Sequence, residues 1–307
     1  MNIETLPKLS FGCASFGNDE AYGSISQEDA NKLVYNAIYD HNIRYFDTSH
    51  YYGNSEEVLG NALVNISRDD FFVGTKVGRV GEVSCFSSDF IKTSVYTSIQ
   101  RLQVSYIDLV QLHDVEFGNI DKIINEGLPM LEKLKKTGLI RYIGITGLHL
   151  DILDSIIDKY DGKIDTILTY CNYGLNYDIK GVNKLSKKIN GYIKKWRKDG
   201  IYIIQGGFTS MGLFTDKPLP KWHPVDDKTR DLCLDVNRIC KEYNTSVVKV
   251  AFQYLYNLSD ISTILVGPNN INELANYTDW ISSVNSLSAE LIDKITSLFM
   301  DFELWVE

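Results

Sequence analysis

Eight short apolar runs recur along the chain, each rich in β-branched and aromatic residues and each closed by polar ones. They are LSFGCAS (9–15), IRYFDTS (43–49), FFVGTKV (71–77), DLVQLHD (108–114), RYIGITG (141–147), TILTYC (166–171), YIIQGG (202–207) and STILVG (262–267). Their length and composition mark buried strands. Between them lie segments with helical periodicity, among them Gln27–His41, Ser55–Ile66, Ser88–Leu102, Asp121–Thr137 and Val182–Lys198. Eight strand–helix units in 307 residues predict an α/β fold, the parallel (β/α)8 TIM barrel. The alternation never breaks, so residues 1–307 are expected to form a single barrel domain. Residues 288–301 predict an additional C-terminal helix: Ser288 caps, Glu290 follows, and Leu291, Ile295, Leu298 and Phe299 share one side. An open doubly wound sheet would carry GxGxxG after an early strand. The nearest string, FGCASFG (11–17), has the wrong glycine spacing.

Two connections stand out. Residues 208–227 (FTSMGLFTDKPLPKWHPVDD) contain Pro218, Pro220 and Pro224, which forbid regular structure there. A long loop at the C-terminal face of a barrel covers or shapes its pocket. After the eighth run, Gly267 and Pro268 lead into a helix, where barrels often bind phosphate on backbone N–H groups.

Net charge −9 and a pI near 5.1 exclude a nucleic-acid-binding surface. No run reaches the roughly 20 apolar residues of a membrane helix. The five cysteines (Cys13, Cys85, Cys171, Cys233 and Cys240) show no metal or CxxC spacing. With no secretory or transit signal at the N-terminus, they indicate buried packing residues in a reducing cytoplasm.

Asp47, Lys76 and His113 close three consecutive runs, and Tyr52 follows Asp47 in the loop. Barrel chemistry gathers at the C-terminal ends of strands. There the four residues make a proton-transfer site: Asp47 keeps Lys76 charged, the ammonium favours the tyrosinate, and neutral His113 orients an oxygen of the substrate. Tyrosine is a poor base near neutrality, with an ordinary pKa near 10. Favouring the phenolate by two to three units takes about 3–4 kcal/mol, within reach of one desolvated ammonium. Taken singly, Asp47 reads as a turn cap, Lys76 as a solvated charge and His113 as a partner of Asp114. A metal site from His50, His149, Asp114 and Glu116 lacks the required pairing, and Lys76 would repel the cation. Spacing alone does not choose between Tyr51 and Tyr52.

The strings FDTSHYYGNSEEVLG (46–60), GTKVGR (74–79) and LVQLHDVEFG (109–118) resemble the aldo-keto reductase family over essentially the whole chain. The family pattern selects Tyr52 as general acid/base, with Lys76 and Asp47 tuning it and His113 orienting substrate. It implies a nicotinamide cofactor, its carboxamide near Thr146, Gly147 and Tyr170, where the family often has Ser-Asn and Gln. The ring that the family frequently stacks on the nicotinamide aligns with Gly206. Around the adenosine 2′-position stand Gly267, Asn269 and Glu273 instead of phosphate ligands, so the resemblance implies NAD over NADP; Glu273 is equally a first-turn helix acid.

Further strings, RYIGITGL (141–148), TYCNYG (169–174) and LPKWHP (219–224), are similar to the group holding L-galactose dehydrogenase and NAD-dependent D-arabinose 1-dehydrogenase. That implies a small-molecule aldose substrate oxidised at C1, with His50, Trp222 and His223 as pocket walls. The other outcomes are an NADPH-dependent carbonyl reductase and a non-catalytic nucleotide-binding subunit. The sequence leaves the oligomeric state open.

Overall fold

The computed structural model describes residues 2–17, 24–81, 83–177, 184–217, 219, 223 and 225–299. The barrel strands are β1 (Leu9–Gly12), β2 (Tyr45–Asp47), β3 (Phe72–Val77), β4 (Ile107–Leu112), β5 (Ile140–Gly147), β6 (Thr166–Tyr170), β7 (Tyr202–Gly206) and β8 (Thr263–Val266). All neighbours are parallel and follow chain order, and β8 pairs back onto β1 to close the barrel. Each expected run therefore coincides with one strand to within a few residues at either end. Six of the eight runs overshoot at their C-terminal ends because the chain turns off the sheet there; Ala14–Gly17, for example, is a 3-10 turn.

Alternation along the strands explains why the site lies where it does. Side chains two apart share a face. Tyr45, Phe72 and Leu109 join Ile3, Leu6, Leu168 and Ile204 in an apolar plug filling the N-terminal half of the barrel interior. One or two steps further along the same strands come Asp47, Lys76, Gln111 and His113. Every residue of β3 and β4 is buried, as expected for parallel strands covered on both faces. Helices close the outer layer, and several of their starts carry side-chain caps. Ser26, Asp226, Ser246 and Ser288 accept from Asp29, Thr229, Lys249 and Leu291 backbone N–H groups.

Three features depart from the expectation. The seventh crossover holds two helices, Asp227–Glu242 and Val247–Tyr256. The segment expected as one helix over 121–137 widens into a π turn, Ile123–Gly127, before continuing as Leu128–Lys136. Pro129 has no N–H and crowds the carbonyl four residues back, and the wider turn relieves that crowding. A short antiparallel ribbon, Arg79–Val80 with Val83–Ser84, leaves the barrel after β3. The C-terminal helix spans Ala289–Ser297. Among the described residues no helix is long and apolar enough to cross a membrane.

Candidate active site

Asp47 and Lys76 are each 2% exposed, and His113 is 4% exposed. The Lys76 ammonium donates to Asp47 Oδ1 and, at 3.0 Å, to the Thr48 carbonyl. It also sits 4.7 Å from the centroid of the Tyr52 ring. Tyr45 Oη and Gln111 Nε2 donate to the other Asp47 oxygen at 2.8 and 3.0 Å. Such a buried carboxylate, bonded on both oxygens, has one fixed orientation. Tyr52 is held by its backbone. A Cβ at Gly17 would stand 2.1 Å from the Tyr52 carbonyl, and Gly53 has φ +54°, so two glycines permit this close chain crossing.

Burial opposes the Lys76 charge, but Asp47 and Tyr52 overcome it, and the ammonium holds its proton above the ordinary lysine value. His113 moves the other way. Burial first, then Lys76, Arg79 and His50, hold its pKa well below 6.5, so the imidazole is neutral. Its Nδ1 lies 3.1 Å from Ser49 Oγ, which itself accepts from the Tyr51 N–H at 3.1 Å. The tautomer with its proton on Nε2 is the one in which Ser49 Oγ donates to Nδ1.

A cavity of about 420 Å³ runs from Asp47, Tyr52 and Lys76 across Gly206 and Gly207 to Gly267. Tyr170 also lines it. A Cβ at Gly207 would come 2.9 Å from Tyr170 Cε2 and 2.8 Å from Cys171 Sγ, so the Tyr170 ring leans into the space the two glycines leave. A long trough walled by glycine, with an aromatic ring on one side, fits a flat heteroaromatic group and an extended chain behind it.

The other expected cofactor residues lie outside this wall. The Thr146 hydroxyl, buried, accepts from the Asp114 N–H at 3.0 Å. Gly147 lies under the Glu116 carboxylate, with Oε2 2.5 Å from where a Cβ would be. Glu116 Oε1 accepts from Leu148 N–H at 2.7 Å. Asn270 and Glu273 cap the helix Ile271–Ser282: Asn270 Oδ1 accepts from Glu273 N–H, and Glu273 Oε2 accepts from Asn269 N–H, both at 2.9 Å. The carboxylate thus occupies the helix N-terminus where an anion would otherwise bind.

Of the expected substrate residues, Trp222 lies outside the described residues. His50 Nδ1 donates to the Lys76 carbonyl at 2.9 Å, which makes it a brace of the lysine. His223 is expected at the pocket wall as well. It is 4% exposed, its Nε2 donates to Ser210 O at 3.2 Å and its Nδ1 accepts from Val225 N–H at 3.2 Å. Both ring nitrogens bond loop backbone groups, so the ring ties the loop.

Sequence reasoning missed Tyr45, Gln111, Ser49 and Arg79, and weighed Asp114 only as a partner of His113 or a metal ligand. For the first two a signal existed: Tyr45 shares a strand face with Asp47, and Gln111 is a polar interruption of an apolar run, paired in register with Lys76. The Arg79 guanidinium bonds Asp114 and lies 4.4 Å from the Tyr51 ring centroid and 5.0 Å from that of Phe117. Among the described residues no group of three or more His, Cys, Asp or Glu side chains could hold a metal ion.

A family model described as Aldo/keto reductase family matches residues 8–299. L-galactose dehydrogenase of Arabidopsis thaliana is 34% identical over 287 residues, 92% of this chain and 86% of that protein. D-arabinose 1-dehydrogenase of Saccharomyces cerevisiae is 32% identical over 284 residues, 87% of this chain and 81% of that one. The solved holo form of an aldo-keto reductase from Bacillus halodurans superposes with a TM-score of 0.76 at 25% identity, covering 95% of this chain and 92% of that one.

Proposed function

The chain belongs to the aldo/keto reductase family, and as an oxidoreductase of that family, we propose, it oxidises an aldopyranose at C1 to the aldonolactone, with NAD⁺ reduced to NADH and one proton released. One observation carries this reading: a buried ammonium, fixed by a doubly bonded carboxylate, lies against the Tyr52 ring on the wall of the cavity. Lys76 favours the phenolate, and Tyr52 then takes the proton of the C1 hydroxyl. His113 Nε2–H donates to the same oxygen and holds it in line. Asp47 keeps Lys76 charged through the cycle. The nicotinamide, when bound, supplies the hydride acceptor that no side chain can provide. Tyr170, Gly206, Gly207 and Gly267 would line it.

The aldose assignment is supported by the names of the two dehydrogenase relatives. The choice of NAD is supported by Glu273, whose carboxylate would repel a 2′-phosphate. Five free thiols suit a reducing compartment such as the cytoplasm. The test is a matrix of kcat/KM values for D-arabinose and L-galactose with NAD⁺ and NADP⁺, with the lactone identified as product. NAD⁺ is expected to exceed NADP⁺ at least about tenfold, or 1.4 kcal/mol. Retention of nucleotide without sugar-dependent NADH formation would instead identify a binding subunit. Faster carbonyl reduction with NADPH than any aldose oxidation would identify a reductase.

A further inference from the structure

Beside His113, on a wall of the site that the cofactor trough does not include, stands a group the proton-transfer chemistry does not use. Asp114 follows His113 in the left-handed region, with φ 48° and ψ 61°, and this turn carries its carboxylate back beside the imidazole. Its Oδ1 lies 3.7 Å from His113 Nε2, too far for a direct hydrogen bond. Its Oδ2 accepts from Arg79. The guanidinium has five N–H donors, of which that bond uses one. It is a quarter exposed and flanked by two aromatic faces, Tyr51 and the 64%-exposed Phe117. A planar cation, an adjacent carboxylate and an exposed ring are the chemistry that grips a polyol: donor and acceptor for a hydroxyl, and an apolar face for the ring C–H groups.

We propose that Arg79 and Asp114 clamp the hydroxyl on the carbon next to the reacting one, the C2 hydroxyl of the sugar, while Phe117 covers one face of the ring. The inference rests on the aldose reading above and sharpens it. The C1 oxygen sits at His113 Nε2, so the neighbouring hydroxyl falls on the Asp114 side of the imidazole. It can donate to Asp114 Oδ1 and accept from Arg79. Cross-bonding fixes the clamp itself: the Asp114 N–H is tied to Thr146 on β5, and Arg79 stems from the base of the ribbon that follows Lys76. The site thereby selects 2-hydroxy aldehydes in their ring form over carbonyl compounds that lack the adjacent hydroxyl.

D-arabinose and 2-deoxy-D-arabinose (the same compound as 2-deoxy-D-ribose) differ only in this hydroxyl. The experiment measures kcat/KM for both with NAD⁺ in the wild type, Arg79→Met and Asp114→Gly; glycine accepts the φ of residue 114 without strain. The wild type is expected to prefer D-arabinose by roughly a hundredfold or more, as sites built to bond a hydroxyl do. Each variant is expected to bring the ratio below about tenfold, mostly by losing activity on D-arabinose. A general structural defect would lower both activities together and leave the ratio standing. Equal use of the two sugars by the wild type, or a ratio within threefold of wild type in both variants, overturns the clamp alone. A wild type that oxidises neither sugar nor any other aldose overturns the aldose reading, and the clamp with it.

Discussion

At the scale of single residues, two buried titrating groups make opposite commitments. Lys76 is charged in the fold and His113 neutral. Lys76→Met should therefore move the alkaline rise of the pH–rate profile for sugar oxidation to higher pH and depress the rate below it. An unchanged profile would remove Lys76 from the chemistry. For His113 the consequence is a pH dependence of stability. Its folded pKa is below the unfolded value near 6.5, so the unfolded chain takes up the proton first, and stability falls as pH drops below about 6.5. The slope from this one group is at most about 1.4 kcal/mol per pH unit. Urea unfolding at pH 7.5 and 5.5 should show the wild type losing about 1 kcal/mol more than His113→Asn. Equal losses would mean that the imidazole is not held neutral.

At the scale of elements, the proposed cofactor binding and cofactor choice rest on the loops after β7 and β8. Gly207 follows β7 with φ +68°, and a Cβ there would meet both Cys171 Sγ and the Tyr170 ring. Gly207→Ala should cost about 1–3 kcal/mol in stability and weaken NADH binding by displacing the Tyr170 ring. Unaltered denaturant midpoint and NADH affinity would show that the ring is not seated there. Glu273 has two effects from one carboxylate. Glu273→Arg should narrow or invert the NAD⁺/NADP⁺ ratio by offering the 2′-phosphate a charge-assisted bond. It should also loosen the cap of Ile271–Ser282 by about 1 kcal/mol, seen as a lower Tm. A wild type that uses both cofactors equally would contradict the assignment to Glu273, whatever the variant does.

At the scale of the whole molecule, the barrel was legible because its strands are buried on both faces, so each announces itself as a short, mainly apolar run. Asp47, Lys76 and His113 were legible because they are the polar residues that end such runs. The second helix of the seventh crossover, Val247–Tyr256, lies beyond the proline-rich connection, in a stretch that the strand–helix alternation did not mark. For His223 the fold adds what a loop sequence does not show, that both ring nitrogens meet backbone groups. The Asp114–Arg79 pair was invisible because it depends on one left-handed residue and a ribbon too short to show periodicity. The central claim is that Tyr52 removes the C1 hydroxyl proton as hydride leaves C1. Its most direct measurement is single-turnover mixing of the NAD⁺-loaded enzyme with C1-deuterated D-arabinose, in wild type and Tyr52→Phe, with Tyr51→Phe as control. The account predicts deuterium on nicotinamide C4, a rate lowered about 10²–10⁴-fold in Tyr52→Phe with cofactor affinity nearly unchanged, and a far smaller loss in Tyr51→Phe. A Tyr52→Phe enzyme that keeps more than about a tenth of the wild-type rate would contradict it.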